Sequence, residues 1–403
     1  MTATDLAPPT PEVRRARGAV AALFLTNGAL FANLVPRYPE IKADLGLDNA
    51  AYGVAIAAFP AGAVVAGLAA AVVIRRLGSG RAAVAGTILT AIGTVLAGFS
   101  PSLLVFAVAL AFAGATDAIT DVAQNTHGLR VQRRYGRSII NSFHAIWSIG
   151  AVLGGSMAAG AITLGLPRAV HLSISGVLFA VVSLVALRFC LPGRDDETEA
   201  GPGAAATPVR GRVGPRVVLL LAALVAVAIA GTLVEDAAST WAAVYLNGSL
   251  GATAAVAAYG FVALVGAQFV GRIIGDRLVD RFGQRAVVRV GGAIAVIGMG
   301  AALALPSVPG TILGFAAAGF GLATTVPAAM HEADEIPGLR AGTGVTLVSW
   351  LMRLGFLLSP PLVGLVADSA GLRAGLLVVP LAGMVAVLLA GVLSPRRRAG
   401  AAA

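Results

Sequence analysis

The sequence predicts an all-α integral membrane protein with twelve transmembrane helices in two six-helix, pseudo-symmetric halves. Of the 403 residues, 58% are hydrophobic and 12% are charged, whereas a soluble globular domain contains about 25% charged residues. A helix needs about 17 to 25 apolar residues to cross a bilayer. Runs of this length lie at about 18–39, 50–74, 82–99, 102–125, 138–162, 169–191, 216–246, 251–274, 286–305, 309–330, 342–366 and 372–393.

Glycine and alanine are abundant in these runs, as in the segment GAVLGGSMAAG, where Gly150 and Gly154 are four residues apart. Small residues at this spacing let helix backbones approach one another closely in lipid. The sequence therefore predicts a tightly packed bundle of helices.

An internal repeat supports the division into halves. When the chain is shifted against itself by about 205 to 207 residues, AAYGVA (51–56) aligns with AAYGFV (257–262), and Gly114 falls on Gly319. A segment rich in Pro, Gly, Ala and acidic residues, typical of a flexible linker, joins the halves. The predicted organisation is a cytoplasmic tail, an N-terminal bundle, a cytoplasmic linker, a C-terminal bundle and a second cytoplasmic tail, at 1–17, 18–191, 192–215, 216–393 and 394–403.

The basic residues predict the orientation, because loops rich in Lys and Arg stay in the cytoplasm. Most of the 29 basic residues fall on the side shared by both termini, and Arg272 is assigned to a loop on that side. Arg353 is left inside a span. The opposite side has Arg37, Lys42, Arg168 and Arg373. We therefore expect both termini in the cytoplasm and the chain in the cytoplasmic (inner) membrane of a bacterium.

The net charge of +10 is explained by this topology and by contact with anionic lipids, so no nucleic-acid partner is expected. Lys42 is the only lysine and lies outside any Gly-Lys-Ser/Thr loop, which excludes a Walker A ATP site. Cys190 is the only cysteine, which excludes an internal disulfide or a cysteine-rich zinc site. The HEADE segment (331–335) lacks the second histidine of a zinc-hydrolase helix. No catalytic residue, cofactor or metal is expected.

The loop DRFGQR (280–285) resembles the Asp-Arg-x-Gly-Arg-Arg motif of the major facilitator superfamily. This resemblance implies that Asp280, Arg281, Gly283 and Arg285 form a conformational gate. The corresponding loop of the first half, RRLGSGR, has Arg75 where the family usually has Asp.

Further segments, DVAQN (121–125), SFHAIWSIG (142–150) and EDAASTW (235–241), resemble the YbjJ-like inner-membrane permeases, relatives of the fucose permeases. The resemblance implies a secondary transporter whose two halves rock about a site near the membrane midplane. It implies a mechanism more than a particular solute.

Polar residues inside the spans are the candidates for a site, because an acid near the bilayer centre costs about 2.5–3.5 kcal/mol on insertion scales. Helical spacing predicts three polar stripes: Asp117, Asp121, Gln124 and Asn125 in span four, Asn141, His144 and Ser148 in span five, and Thr346, Ser349 and Arg353 in span eleven. Glu235 and Asp236 are about 100° apart on one helix, so only one of them is expected to face the cavity. The stripes are predicted to converge on one cavity.

The candidates for proton coupling are Asp121, Glu235, Asp117 and His144. DVAQN resembles the acid-x-x-x-Asn of the fourth span of the fucose permeases, which implies that Asp121 takes part in proton and sugar handling. Each acid has a structural hydrogen bond as its alternative, and His144 is either a proton relay or a packing residue.

The candidates for lining the substrate cavity are Asn125, Gln124, Asn141, Trp147, Asp236, Trp350 and Arg353. Tryptophan rings stack on sugars, although Trp241, near the outer end of its span, is expected to be an interfacial anchor. Arg353 either anchors a solute anion or is the counter-ion of an intramembrane acid, and the counter-ion role is favoured.

The expected function is a monomeric secondary active transporter that moves a small, sugar-like solute and is driven by the proton gradient. Its partners would be the solute, protons and membrane lipids. A proton-driven exporter of drug-like or antibiotic-like compounds is the alternative. A non-transporting membrane sensor is expected to carry a signalling extension, and a membrane-embedded enzyme requires a nucleophile-base pair that the sequence does not show.

Overall fold

The protein is described by a computed structural model that covers residues 9–136, 139–193, 214–336, 339 and 343–395. Within these residues the regular structure is helical. The α-helices are α1 (Pro11–Leu34), α2 (Tyr38–Asp44), α3 (Asn49–Gly67), α4 (Ala70–Leu77), α5 (Ser79–Gly98), α6 (Leu103–Tyr135), α7 (Ile140–Thr163), α8 (Arg168–Leu187), α9 (Pro215–Val244), α10 (Ala254–Phe282), α11 (Gln284–Ala304), α12 (Val308–Leu322), α13 (Thr325–Asp334), α14 (Thr343–Leu351), α15 (Arg353–Ala370), α16 (Leu372–Gly375) and α17 (Val378–Leu389). Most of the predicted linker and tails lies outside the described residues.

Twelve helical segments of the described chain are long and apolar enough to cross a membrane. They are Pro11–Asp44, Asn49–Gly67, Ser79–Gly98, Leu103–Tyr135, Ser142–Thr163, Arg168–Leu187, Pro215–Ser249, Ala254–Phe282, Gln284–Ala304, Val308–Asp334, Thr343–Ala370 and Leu372–Val392, here called spans 1 to 12. Each overlaps one predicted apolar run, so the predicted fold class is confirmed.

The chain divides into two compact units. Unit 1 comprises the described residues of Met1–Arg37 and Ala58–Pro202, and unit 2 those of Tyr38–Ala57 and Gly203–Ala403. This grouping differs from the predicted bundles because it assigns the first half of span 2, up to Ala57, to unit 2. The boundary falls within α3, which has Pro60 in its interior.

In unit 2, the start of α3 is held by an acid from another helix. The Asp368 carboxylate of α15 accepts hydrogen bonds from the backbone N–H groups of Asn49 (3.0 Å) and Ala50 (2.7 Å) and from the Asn49 side chain (2.9 Å). The first N–H groups of a helix have no partner within the helix, so Asp368 serves as their cap. The Tyr52 hydroxyl also donates to the Thr240 carbonyl, at 2.8 Å.

The structure confirms the internal repeat in its turns and caps. Gly78 and Gly283 lie at corresponding positions and share a left-handed backbone, with φ of 81° and 82°. An L-residue rarely adopts this conformation, which makes glycine the suitable residue at both turns. Ser102 and Ser307 correspond in the same way, and each side chain caps the helix that follows it.

Close packing at glycine also repeats between the units. Gly114 of α6 lies against the backbone of Phe59 in unit 1, and Gly319 of α12 lies against the backbone of Leu264 in unit 2. A side chain at either glycine would collide with a backbone carbonyl oxygen that belongs to a neighbouring helix. These contacts allow the helices to approach closely, as the small residues predicted.

We predict that Gly114→Val strongly destabilises the protein. The added side chain meets the Phe59 backbone, and overpacking of this kind costs about 1–3 kcal/mol or more. Gly160→Val is the matched control, because nothing lies within 4 Å of a Cβ at that position of α7. The yield of monodisperse protein and the melting temperature in detergent measure the difference. Equal values for the two variants would contradict the packing account.

Candidate functional site

Polar side chains inside the spans of unit 1 form a hydrogen-bonded cluster centred on Asn27. The Asn27 amide donates to Asp117 Oδ1 at 2.6 Å, and the Trp147 indole N–H donates to Asn27 Oδ1 at 2.8 Å. Asn27 therefore joins an acid of α6 to an indole ring of α7. This Asn27 cluster contains two predicted residues, Asp117 and Trp147, and one residue that the sequence analysis did not identify.

Small residues bring this cluster together. Gly28 of α1 lies against the Trp147 backbone of α7, and Gly150 of α7 lies against the Leu25 backbone of α1. The close approach of the two helices sets Asn27 beside Trp147. Asn27 is buried, whereas Asp117 and Trp147 keep part of their surface exposed. The carboxylate and the indole are thus oriented by a buried amide and remain accessible to a ligand.

The stripe predicted on span four is divided between two environments. The Asn125 amide donates to Asp121 Oδ1 at 3.0 Å, and both side chains are half-buried. Gln124 is fully buried, and its side-chain nitrogen and oxygen have no hydrogen-bond partner among the described residues. The prediction that Gln124 lines an open cavity is therefore wrong for this structure, because its side of the helix is covered by protein.

On span five, His144 is exposed and its ring meets the edge of Phe24, with ring centroids 5.2 Å apart. Ser148 is buried and donates to the carbonyl of its own helix one turn earlier. The side chain of Asn141 is not among those that the structure describes, so its contribution to the substrate cavity stays a prediction.

A second cluster lies in unit 2 and is centred on Glu235 of α9. The Gln268 amide donates to Glu235 Oε2 at 2.8 Å, and an Arg272 guanidinium nitrogen lies 3.6 Å from the same oxygen. Gln268 and Arg272 are one turn apart on α10, so they present both groups to one carboxylate. The side chains of Arg272 and Glu235 are 37% and 23% exposed. This Glu235 cluster combines an ion pair, an amide and access for a ligand or proton.

The Glu235 cluster corrects two expectations about the arginines. Arg272 was assigned to a cytoplasmic loop, but it lies within span 8 and provides the counter-ion of Glu235. Arg353 was favoured as the counter-ion of an intramembrane acid, yet no acid lies within ion-pairing distance of it in the described part of the chain. The reason is geometric: α10 places Arg272 beside Glu235, whereas the start of α15 packs against Thr232, three residues earlier on α9.

The neighbouring acid, Asp236, lies on the buried side of α9. It is 8% exposed, and its Oδ2 has no hydrogen-bond partner among the described residues. Glu235 is therefore the more accessible of the two acids.

The tryptophans of unit 2 have opposite environments. Trp241 is fully buried and its ring packs edge-on against Tyr52, with centroids 5.0 Å apart, so its expected role as an interfacial anchor is wrong. Trp350 is 56% exposed on α14.

The predicted gate loop ties the end of span 12 to span 9. Arg285 donates from its guanidinium to the carbonyls of Leu393 (3.0 Å) and Gly391 (2.8 Å). Arg281 lies over the Phe282 ring, and Asp280 is exposed. The described contacts of this loop are structural, and its role as a conformational gate stays a prediction.

Two further contacts at helix ends occupy corresponding positions in the repeat. In unit 1, His127 Nε2 accepts from the backbone N–H of Leu191 (3.1 Å), at the end of span 6. In unit 2, Glu332 accepts from the backbone N–H of Ser394 (2.8 Å), at the end of span 12. Glu332 belongs to the HEADE segment, which is therefore accounted for by a helix-end contact. The repeat offset, applied to His127, would have identified Glu332.

The twelve membrane-spanning helices, with compensated acids inside them, define a polytopic membrane protein of the transporter type. The chain matches the model of the Major Facilitator Superfamily over residues 20–330 and 267–403. It therefore belongs to the major facilitator superfamily of membrane transporters.

Relatives of similar length support this assignment. The chain is 30% identical to an uncharacterized transporter, y4wD, of Sinorhizobium fredii (strain NBRC 101917 / NGR234), over 92% of this chain and 96% of that protein. It is also 30% identical to the membrane protein MosC of Rhizobium meliloti, over 95% and 91%.

Solved structures share the fold at low identity. The nucleoside transporter NupG superimposes with a TM-score of 0.71 at 14% identity, covering 95% of this chain and 98% of that one. The transporter FucP in its outward conformation gives a TM-score of 0.58 at 17% identity, covering 93% and 97%.

We predict that Asn27→Ala lowers the free energy of unfolding by about 1–3 kcal/mol, because it leaves the Trp147 N–H and the Asp117 carboxylate without a buried partner. Ser156→Ala, on the same helix as Trp147, is the control, since its exposed hydroxyl donates only to the carbonyl of Val152. Chemical or thermal unfolding in detergent measures both variants. If Asn27→Ala and Ser156→Ala have the same free energy of unfolding, the Asn27 cluster does not stabilise the packing of α1, α6 and α7.

Proposed function

We propose that this transporter is a proton-coupled carrier of a small, sugar-like solute. The observation that carries the proposal is that, in each unit, an accessible carboxylate within apolar spans is held by a carboxamide: Asp117 by Asn27 and Glu235 by Gln268. Acids in such surroundings are costly and commonly mark the path of a solute or proton. The family gives the mode of action, in which a carrier exposes its solute site alternately to the two sides of the membrane.

The chemistry of the Asn27 cluster favours a hydroxylated ring as the solute. A carboxylate accepts hydrogen bonds from hydroxyl groups, and an indole ring offers a flat apolar surface to the C–H face of a sugar. In this proposal Asp117 and Trp147 contact the solute, and Asn27 orients both. The sequence resemblance to the fucose permeases supports the same class of solute.

The Glu235 cluster suits proton coupling, because its ion pair depends on the charge of one carboxylate. When Glu235 takes up a proton, its attraction to Arg272 is lost and only the hydrogen bond from Gln268 can remain. A change in protonation therefore changes the contact between α9 and α10. Asp121, whose carboxylate accepts from Asn125, is the second candidate for this role.

We predict that Glu235→Gln and Asp121→Asn separate accumulation from exchange. Each amide imitates the protonated acid, so the carrier can still bind and release solute while the proton cycle is lost. In proteoliposomes with an imposed pH gradient, uptake of labelled hexoses and hexose acids should fall to passive equilibration. Exchange of labelled for unlabelled solute should persist.

Asp334→Asn is the control, because it removes an exposed carboxylate at the end of α13. A variant that still accumulates solute with the wild-type pH dependence assigns its acid a structural role. If a variant also loses exchange, the acid that it replaces is a ligand of the solute. Wild-type protein that moves drug-like compounds outward and no sugar-like solute would favour the exporter.

We also propose that the chain lies in the bacterial cytoplasmic membrane with both termini inside, because most basic residues occur in loops on that side. Reporter fusions after Ala304, Arg216 and the C-terminal residue test this topology. The last two sites should give cytoplasmic signals, and the fusion after Ala304 should give an external one. An external signal from the fusion after Arg216 would reverse the orientation.

A further inference from the structure

We infer that Arg353 binds a carboxylate of the transported solute, so that the solute is a sugar acid. This inference rests on the proposed function and narrows its solute class. Its starting point is a charge without compensation: Arg353 lies within span 11, is half-buried, and has no acid within ion-pairing distance in the described part of the chain. An arginine near the centre of a membrane helix costs about 2.5–3.5 kcal/mol on insertion scales, which calls for a partner.

The acids of the neighbouring spans in unit 2 do not provide that partner. Glu235 is engaged by Arg272 and Gln268. Asp236 is buried and interacts with the Ser359 side chain of α15, and it is not within ion-pairing distance of Arg353. The positive charge is therefore available to a ligand.

The helix register of α15 directs Arg353 toward protein and away from lipid. Pro360 and Gly364 follow Arg353 by seven and eleven residues, which places all three on one side of the helix. In the outer turns this side is covered by the start of α3, where Gly53 lies against Pro360 and Asn49 against Gly364. Arg353 lies on the same side of the helix about two turns before Pro360, and the residue is half-buried.

The side of α15 that carries exposed apolar residues is a different one. Leu354, Leu358, Leu362 and Leu365 are all exposed and repeat at helical spacing. These leucines form the surface suited to lipid. Because Arg353 lies outside this stripe, lipid contact does not account for it.

The backbone at Arg353 is held in place, as a binding residue requires. Helix α14 ends at Leu351 and α15 begins at Arg353. The Thr232 hydroxyl of α9 donates to the Met352 carbonyl at 3.0 Å, and Gly355 lies against Thr232. These contacts fix the residue before Arg353 and the second residue after it to α9, which fixes the origin of the arginine side chain.

The chemistry of guanidinium then selects the ligand. Arginine donates two parallel N–H bonds to a carboxylate, and this planar match is stronger and more specific than a contact with a neutral hydroxyl. The proposed function already gives a solute with a hydroxylated ring, and such a ring that also carries a carboxylate for Arg353 is a sugar acid. Hexuronates have these features, because they keep a pyranose ring beside a free carboxylate.

The test is a thermal-shift titration of the purified full chain with the hexuronates D-galacturonate and D-glucuronate. The neutral D-galactose and D-glucose, and succinate as a carboxylate without a hydroxylated ring, are added at equal ionic strength. We expect at least one sugar acid to raise the melting temperature in a saturable way, since a ligand of the folded state stabilises it by mass action. The neutral sugars and succinate should have little effect.

Arg353→Gln should raise the dissociation constant of the sugar acid by about tenfold or more, which is the loss expected when one charged hydrogen bond is removed. Arg353→Lys, which keeps the charge without the planar pair of donors, should give an intermediate loss and keeps the test valid if Arg353→Gln does not fold. Arg289→Gln, at an exposed position of α11, is the control and should bind as wild type does.

Each outcome separates this inference from the proposed function. Binding of neutral sugars that is insensitive to Arg353→Gln overturns the inference and leaves the proposed sugar-like solute in place. Succinate binding that depends on Arg353, without sugar-acid binding, overturns the sugar acid. If neither sugar acids nor neutral sugars bind wild-type protein, the inference and the proposed solute class both fail.

Discussion

The compensation of charge inside apolar helices is the constraint on which the candidate site depends. Lipid offers neither water nor counter-ions to a carboxylate, so an acid within a span requires partners from the protein itself. Glu235 has them in Arg272 and Gln268, and Asp117 has Asn27. These partners reach the acids because glycines bring the helix backbones close together, as Gly28 and Gly150 do between α1 and α7. Close packing and site chemistry are thus parts of one arrangement.

The repeat preserves the scaffold and changes the chemistry. Turn glycines, serine caps and close-packing glycines recur at an offset of about 205 residues in the two units. The site acids do not recur: the position that corresponds to Asp117 is Leu322, and the one that corresponds to Glu235 is Leu30. Each unit therefore contributes a different group, a carboxylate with an indole in one and an ion pair in the other. In the proposed function, the first group contacts the solute and the second couples transport to protons.

The sequence predicted the twelve spans well, because apolar length and composition determine whether a segment can cross a bilayer. The partners of the charged residues were harder to predict. Arg272 follows Gly271 near the end of an apolar run, and only the length of α10, which continues to Phe282, places it in the interior of the helix of span 8. Asn27 and Gln268 are lone amides in apolar helices, and the acids they contact are 90 and 33 residues away in the sequence. Such contacts depend on helix packing, which residue spacing along a single helix does not encode.

The central claim is that Glu235 is tolerated in its span because Arg272 compensates it, and a double-mutant cycle tests this most directly. Glu235→Gln, Arg272→Gln and the double variant are compared by the free energy of unfolding in detergent. The account predicts that each single variant is less stable than wild type, because it leaves one charge unpaired. The double variant should recover much of that loss, with a coupling energy of about 0.5–3 kcal/mol. Additive losses, with the double variant as unstable as the sum of the two single variants, would contradict it.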